Sequence, residues 1–374
     1  MLHLSASGLH ALLNPRGPAL HNRLEPAGLV QHFMAAPPQG FSPLRLTGSV
    51  PAFAMRFDLS TTVDPETRAK LKALPFARSW WQYLCAQTCF VGTTVSEYAL
   101  LPRCTPPETF VRQLLEEVAP HYPFLIVKDI PVDATLVGAE AHGYSRSVAD
   151  ACRAHGFVLL QGQALAYVPV DFDSIDDLLG RMSRSRRRDI RRKLKTASSL
   201  QIRAVATGDT LFDDERILAT FYEQYLNVYR KSTIHFDLLS AGFWRALLQD
   251  ADSRGIVFMY CAGGEMIGYN VCFVENGALV DKYVGFAYPQ AREHNVYIVS
   301  WFRNLQYALD HRLRYYVAGW TDLEIKRYLG ARFTMTQHAV YARNSLLRGA
   351  LRTFKRFFET DYRRYAAHAG DTGS

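Results

Sequence analysis

No stretch of this chain approaches the ~20 uninterrupted apolar residues that a membrane-spanning helix requires. It also lacks a CxxC pair. Its six cysteines, at positions 85, 89, 104, 152, 261 and 272, show no zinc spacing, and such scatter fits reduced thiols in a cytoplasm. The first residues, MLHLSASGLHALLNPRG, have neither the early basic residues nor the continuous apolar core of a signal peptide, so the sequence predicts a cytoplasmic protein. The 12 histidines form no HExxH, which speaks against a zinc hydrolase and gives no metal-ligand set. There is no GxSxG elbow and no GxxxxGK(S/T) loop. Asp171-Phe172-Asp173 imitates a DxD metal motif but falls where a helix N-terminus is expected, and capping accounts for it.

What is present is ordinary in bulk and uneven in charge. Apolar residues make up 48%, charged residues 21% and aromatics 13% of 374 residues, which excludes a disordered chain, a collagen and a coiled coil. Lys plus Arg exceed Asp plus Glu by 43 to 35, a net +8. The segment 181–195 alone holds nine basic residues and one acid, so the remainder is balanced. One local feature therefore carries the excess, which argues against a broad DNA-binding face. Such a helix either meets phosphates, of a nucleotide-bearing donor, a tRNA or an anionic membrane surface, or is simply solvated. Arg184, Arg187, Arg188 and Arg191 recur at helical spacing on one side, and Arg186 lies on an otherwise apolar stripe that predicts internal pairing.

The patterning predicts alternating strands and helices in two α/β domains. These follow a lead-in over 1–38, span 39–172 and 173–342, and precede a basic helix and tail over 343–374. Strands are expected at 41–46, 53–59, 93–101, 124–129, 157–160 and 165–170, with a turn at Gly162 between the last two. Helices are expected at 65–89 (putting Cys85 and Cys89 on one face), 107–118 and 145–155. Ser174 with Asp177 three residues on opens a helix predicted to run to about 197. A strand at 200–206 and helices at 213–230 and 241–250 lead to a meander over 256–261, 266–275 and 278–286. Its Asn276-Gly277 turn is the strongest hairpin signal in the chain. A helix at 297–309, a strand at 313–317 and a helix from 344 to about 365 follow.

The order strand, helices, antiparallel meander, helix, strand resembles the GNAT acyltransferase plan. Within it, residues 171–320 resemble the FemAB-like branch, which includes the Fem aminoacyl-tRNA ligases. The stretches that carry the resemblance are FDSIDDLLGRMSRSRRRDIRRKLKTA, FYEQYLNVYRKS, GGEMIGYNVCFVENGALVDKYVGFAYPQAREHNVYIVSWFRNLQYAL and YYVAGWTDLEIKRYLGA. The resemblance implies tandem GNAT-like α/β domains with mixed, mainly antiparallel sheets flanked by helices. The implied reaction is transfer of an acyl group to an amine acceptor, with no permanently bound cofactor. The co-substrate is then a phosphate-bearing donor, either an acyl-CoA or carrier-protein thioester or an aminoacyl-tRNA. A non-catalytic module that recognises a cell-wall precursor is the reading outside the enzymes. Two departures bear on the donor. The Q/R-x-x-G-x-G/A pyrophosphate loop of typical GNAT enzymes is replaced by Gln290-Ala291-Arg292-Glu293-His294-Asn295, and the helical arm of cell-wall Fem ligases is absent. The missing arm favours a thioester.

Under this resemblance the strand 279–286 splays from its neighbour and the donor enters the gap. Alternation would put Asp281, Tyr283 and Gly285 on one face. Asp281 would act as base, with Tyr283 or Tyr297 as acid. Alternatively Asp281 pairs with Lys282 or Arg303 and Tyr283 packs in the sheet. Arg187, Arg188, Arg191, Arg292, Asn295 and Lys326 are the candidates for the donor's phosphates, with helix capping the competing role for Asn295. Tyr229, Lys231 and Trp320 are the candidates for substrate contact.

Overall fold

The computed structural model describes residues 20–59, 73, 84–232 and 236–354. In chain order the elements are β1 (Leu20–His21), α1 (Ala27–Ala35), β2 (Ser42–Arg45), β3 (Pro51–Asp58), β4 (Cys85–Val91), β5 (Leu101–Pro102), α2 (Pro107–Glu117), β6 (Phe124–Pro131), α3 (Ala139–Ala154) and β7 (Val158–Pro169). Then come α4 (Ile175–Gly180), α5 (Arg184–Leu194), β8 (Gln201–Ala206), α6 (Glu215–Lys231), α7 (Ala241–Leu248), β9 (Ile256–Ala262), β10 (Glu265–Glu275) and β11 (Ala278–Phe286). The chain continues through α8 (Gln290–Glu293), α9 (Val296–Asp310), β12 (Tyr315–Gly319), α10 (Leu323–Tyr328), β13 (Arg332–Ala342) and α11 (Ser345–Phe354). None of the described helices is long and apolar enough to cross a membrane.

The chain divides into two compact units, each with the helix-flanked mixed sheet of a GNAT-like domain. The first comprises 1–23, 40–164 and 334–374, the second 24–39 and 165–333. These bounds differ from those expected because β7 and β13 each contribute residues to both units, and because part of the expected lead-in, 24–39, belongs to the second. In the first unit β2, β3 and β4 run antiparallel, β4 pairs in parallel with β6 over Thr88–Val91, and β6 pairs antiparallel with β13. Its core gathers Val91, Phe110, Leu114, Leu125, Val127, Val148 and Cys152. Pro107 at the first turn of α2 suits that position, since a helix's first N–H groups lack partners anyway.

In the second unit β8, β9, β10 and β11 form the antiparallel meander. Asn276 and Gly277 take left-handed conformations, φ 50° and 77°, as a primed two-residue turn requires. Phe258, Tyr260, Leu279, Val296, Trp301, Leu305 and Tyr316 build the core under α9. The segment Leu24–Gln39 is fastened to this unit by a His32–Asp250 contact of 2.8 Å and a Ser240 hydroxyl bond to the Ala36 carbonyl. Burial alone would raise the Asp250 carboxyl, but hydrogen bonds from His32 and Ser253 hold it down at about 2.

Several expectations are corrected. Cys85–Val91 is a strand paired with β3, so Cys85 and Cys89 share no helix; the rest of the expected helix at 65–89, apart from 73 and 84, lies outside the described residues. The stretch 93–100 is a buried irregular loop, because its β-branched residues fill the first unit rather than a ladder. Gly162 lies inside a continuous β7, where a side chain would strike Thr336 of β13. The basic helix breaks at 181–183 into α4 and α5. Gly285 is a second close approach. A Cβ there would overlap the Tyr269 ring, which is pinned by a 2.8 Å bond from its hydroxyl to the Phe221 carbonyl. Gly285→Ala should therefore lower stability by about 1–3 kcal/mol, read as a denaturant midpoint shift at constant slope.

Candidate functional site

β11 and β12 run parallel for three pairs only, Ala278–Val280 against Tyr315–Val317. On its other edge β12 pairs antiparallel with β7 along its whole length, Tyr315 to Gly319, with a register shift between Val317 and Gly319. β11 runs on to Phe286 alongside β10 alone. The parallel strands thus part directly before Asp281.

At that point the β10–β11 ladder is also irregular. Cys272 opposes Asp281 and Val271 opposes Tyr283, leaving Lys282 as an extra residue in β11. Such a bulge reverses the alternation beyond it. Asp281 consequently faces α9, bonding Asn304, whereas Tyr283 faces α7, its ring 5.3 Å from that of Trp244. The expected grouping of Asp281, Tyr283 and Gly285 on one face fails for this reason, since a residue count cannot register an inserted position.

Asp281 is half-buried and ringed by donors. Asn270 Nδ2 donates to both carboxylate oxygens at 2.9 Å. Oδ2 also accepts from Asn304 Nδ2 at 3.0 Å and from the Tyr316 hydroxyl at 2.9 Å. The Cys272 thiol lies 3.7 Å from Oδ1. Burial pushes the carboxyl up, while the bonds from Asn270 and Tyr316 and the charge of Lys326 draw it back. A carboxylate offers about four lone-pair sites, and these contacts occupy them. The cation acting on Asp281 is Lys326, on α10; Lys282 pairs with Glu25 at 3.5 Å, and the Arg303 guanidinium lies over the Phe258 ring at 5.4 Å.

Lys326 is 5% exposed, and its ammonium comes close enough to Gly319 that a Cβ there would sit 3.8 Å from Nζ. Tyr297, at the start of α9, is half-buried. Its hydroxyl is pushed up by burial and by the negative charges of Asp322 and Asp281, and so stays protonated. Asp322 also acts on Tyr288. Over that ring lie two cations, Lys231 Nζ at 3.1 Å and the Arg292 guanidinium at 5.3 Å. Desolvation and the neighbouring Arg292 lower the Lys231 ammonium. Neither cation has an ion-pair partner among the described residues. Asn227 of α6 bonds the Phe286 carbonyl at 3.2 Å, which brings the end of α6 to the end of β11.

Five expected residues thus gather around the parting strands and the loop after β11: Asp281, Tyr297, Lys326, Arg292 and Lys231. Tyr283 does not join them. Trp320, half-buried, follows β12, and Tyr229, half-buried on α6, has its ring 6.2 Å from that of Tyr225. Asn295 is left-handed at φ 50° and makes no side-chain cap, so its competing role as a cap is not realised. On α5, Arg191 pairs with Asp176 at 2.7 Å and Arg187 reaches the Gly180 carbonyl at 3.3 Å, while Arg188 is exposed. Arg186 pairs internally as expected, donating to the Arg327 carbonyl at 2.8 Å. Asn270, Asn304, Tyr316 and Tyr288 were missed. The two asparagines carried a signal, being amides inside the apolar runs MIGYNVCFV and WFRNLQYAL, where a buried polar group needs a partner.

Among solved structures, L-PGS from Bacillus licheniformis is similar with a TM-score of 0.52 at 9% identity, over 90% of this chain and 98% of that one. The C-terminal domain of a protein assigned as a lysylphosphatidylglycerol synthetase, from Agrobacterium fabrum, gives 0.51 at 11%, over 87% and 91%. FemX gives 0.50 at 11%, over 95% and 99%. At such identities the likeness is one of fold. No curated protein matches the sequence. The FemAB-like family, described as peptidoglycan biosynthesis/recognition, matches residues 128–371, a stretch that takes in the bulged strand, the parted strands and the lysine of α10. A match over more than half the chain places this protein in the FemAB-like family.

Proposed function

We propose that the second unit transfers an aminoacyl group from a phosphate-bearing donor to an amine. The observation that carries this reading is the parting of β11 and β12 beside a buried ammonium and a protonated phenol. The amine nitrogen attacks the acyl carbonyl carbon, and the bond from that carbon to the leaving oxygen breaks. Lys326 stabilises the oxyanion that forms between these events. The proton released by the amine passes through the Tyr297 hydroxyl to the leaving oxygen. Asp281, its lone pairs taken by donors, holds negative charge near Lys326 rather than accepting the proton. The Lys231–Arg292 pair over Tyr288 takes the donor's phosphate, an anion that relieves two neighbouring like charges.

An aminoacyl-tRNA comes first because a cation pair stands where typical GNAT enzymes carry a glycine-rich loop for a diphosphate. A thioester donor is the second reading, favoured by the absent helical arm. Copurified tRNA, identified after RNA extraction, supports the first, and label moving from acetyl-CoA to amine acceptors without RNA supports the second. Lys231→Gln with Arg292→Gln should weaken donor binding about tenfold or more and reduce the salt slope by roughly 1–2. Melting temperature should hold, exposed cations contributing only ~0–1 kcal/mol each. Wild-type binding across a salt series would remove the pair from the donor site.

A further inference from the structure

The bulge in β11 is held from outside the sheet. Lys282, the inserted residue, points to the α7 face and meets Glu25 at 3.5 Å, with side chains only 5% and 2% exposed. Glu25 lies one residue into the segment Leu24–Gln39, which is remote in sequence from the rest of the second unit. Only Pro26 separates it from α1, which is tied to Asp250 through His32. Burying two charges is costly, and such pairs are best attested where they specify one register over another. Here two registers compete. With the bulge, Asp281 faces α9 and Lys282 and Tyr283 face α7. Without it, Tyr283 would be carried to the α9 face and Lys282 would lie opposite Val271. A one-residue slip in a strand turns every following side chain over.

We propose that Glu25 is a positioning residue for the transfer centre: through its buried pair with Lys282 it fixes the β11 bulge and thereby keeps Tyr283 off the α9 face, where it would stand opposite Asn270 and crowd the bonds of Asp281 to Asn270, Asn304 and Tyr316. The consequence for turnover rests on the proposed transfer reading; the consequence for register does not.

Cys272 reports on the α9 face into which Tyr283 would turn. Its thiol sits 3.7 Å from Asp281 and 3.8 Å from Asn304 Oδ1, and it is fully buried. Cys152, equally buried in the first unit, serves as the reference for global opening. The full chain is labelled with iodoacetamide over time and each cysteine is followed by mass spectrometry. Glu25→Gln should speed labelling of Cys272 at least tenfold while Cys152 keeps its wild-type rate. The paired change Glu25→Leu with Lys282→Met removes both charges at similar volume and guards against a variant that does not fold. It should restore the melting temperature yet keep Cys272 exposed. If Cys272 stays protected in both variants, the pair is not what holds the register and the proposal falls. In an aminoacyl-transfer assay with an intact donor, kcat should drop at least tenfold with donor KM unchanged. Faster Cys272 labelling with unchanged turnover would retain the register role and overturn the link to the transfer centre.

Discussion

Lys326→Met should lower single-turnover transfer by about 10²–10³, the weight of one preorganised oxyanion donor in a site shielded from water. The substitution keeps the stem and removes the charge. Lys326 is one of only 18 buried polar or charged residues described, and it stands beside the parted strands. An ammonium there acts at low effective dielectric, where a unit charge is worth several times its value in water. Donor affinity should change little, since the phosphate is assigned to Lys231 and Arg292. Stability should fall as well, because Asp281 would keep its donors but lose its counter-charge. Rates per folded molecule, taken below the lowered melting temperature, separate the two effects. Lys326→Met with wild-type turnover would show that the oxyanion is held by backbone N–H groups alone.

The fold was largely legible because it rests on local patterns. Period-two alternation on both sides of Asn276-Gly277 predicted the hairpin, and the structure pairs Gly268–Glu275 with Ala278–Phe286. Strand here is what the GNAT plan demands, and a helix at either stretch would have removed it. The apolar stripe Phe110 and Leu114 likewise predicted α2. What stayed hidden depends on contacts remote in sequence. Gly162 reads as a turn until Thr336 is known to lie across from it. Leu24–Gln39 reads as a lead-in because its partners, Asp250 and Lys282, are more than 200 residues away. The centre was visible as residue types but not as geometry. Asp281, Tyr297 and Lys326 were singled out, yet the bulge that sends Asp281 and Tyr283 to opposite faces leaves no mark in the sequence. The basic segment looked like a single anion-binding side, whereas Asp171, Asp176, Asp177 and Asp189 neutralise much of it locally.

Asp281→Asn separates two roles for the carboxylate through the pH profile. If Asp281 were the base, its loss would abolish the acidic limb of the rate and leave the alkaline limb in place. The donor-filled geometry forecasts something else. Asn offers one oxygen, and its amide N–H groups would confront the donors of Asn270, Asn304 and Tyr316. Breaking a buried charge pairing of this kind costs about 3–5 kcal/mol, so the melting temperature should fall markedly. Lys326 would lose the anion on which its charge acts. The rate per folded molecule should therefore fall while the acidic limb stays. A double-mutant cycle completes the test. With Lys326 already Met, there is no ammonium for Asp281 to hold, so Asp281→Asn should cost little further turnover, giving a coupling of about 0.5–3 kcal/mol. Additive losses in the cycle, or an acidic limb that vanishes in Asp281→Asn, would return the proton to Asp281 and leave Lys326 to act alone on the oxyanion.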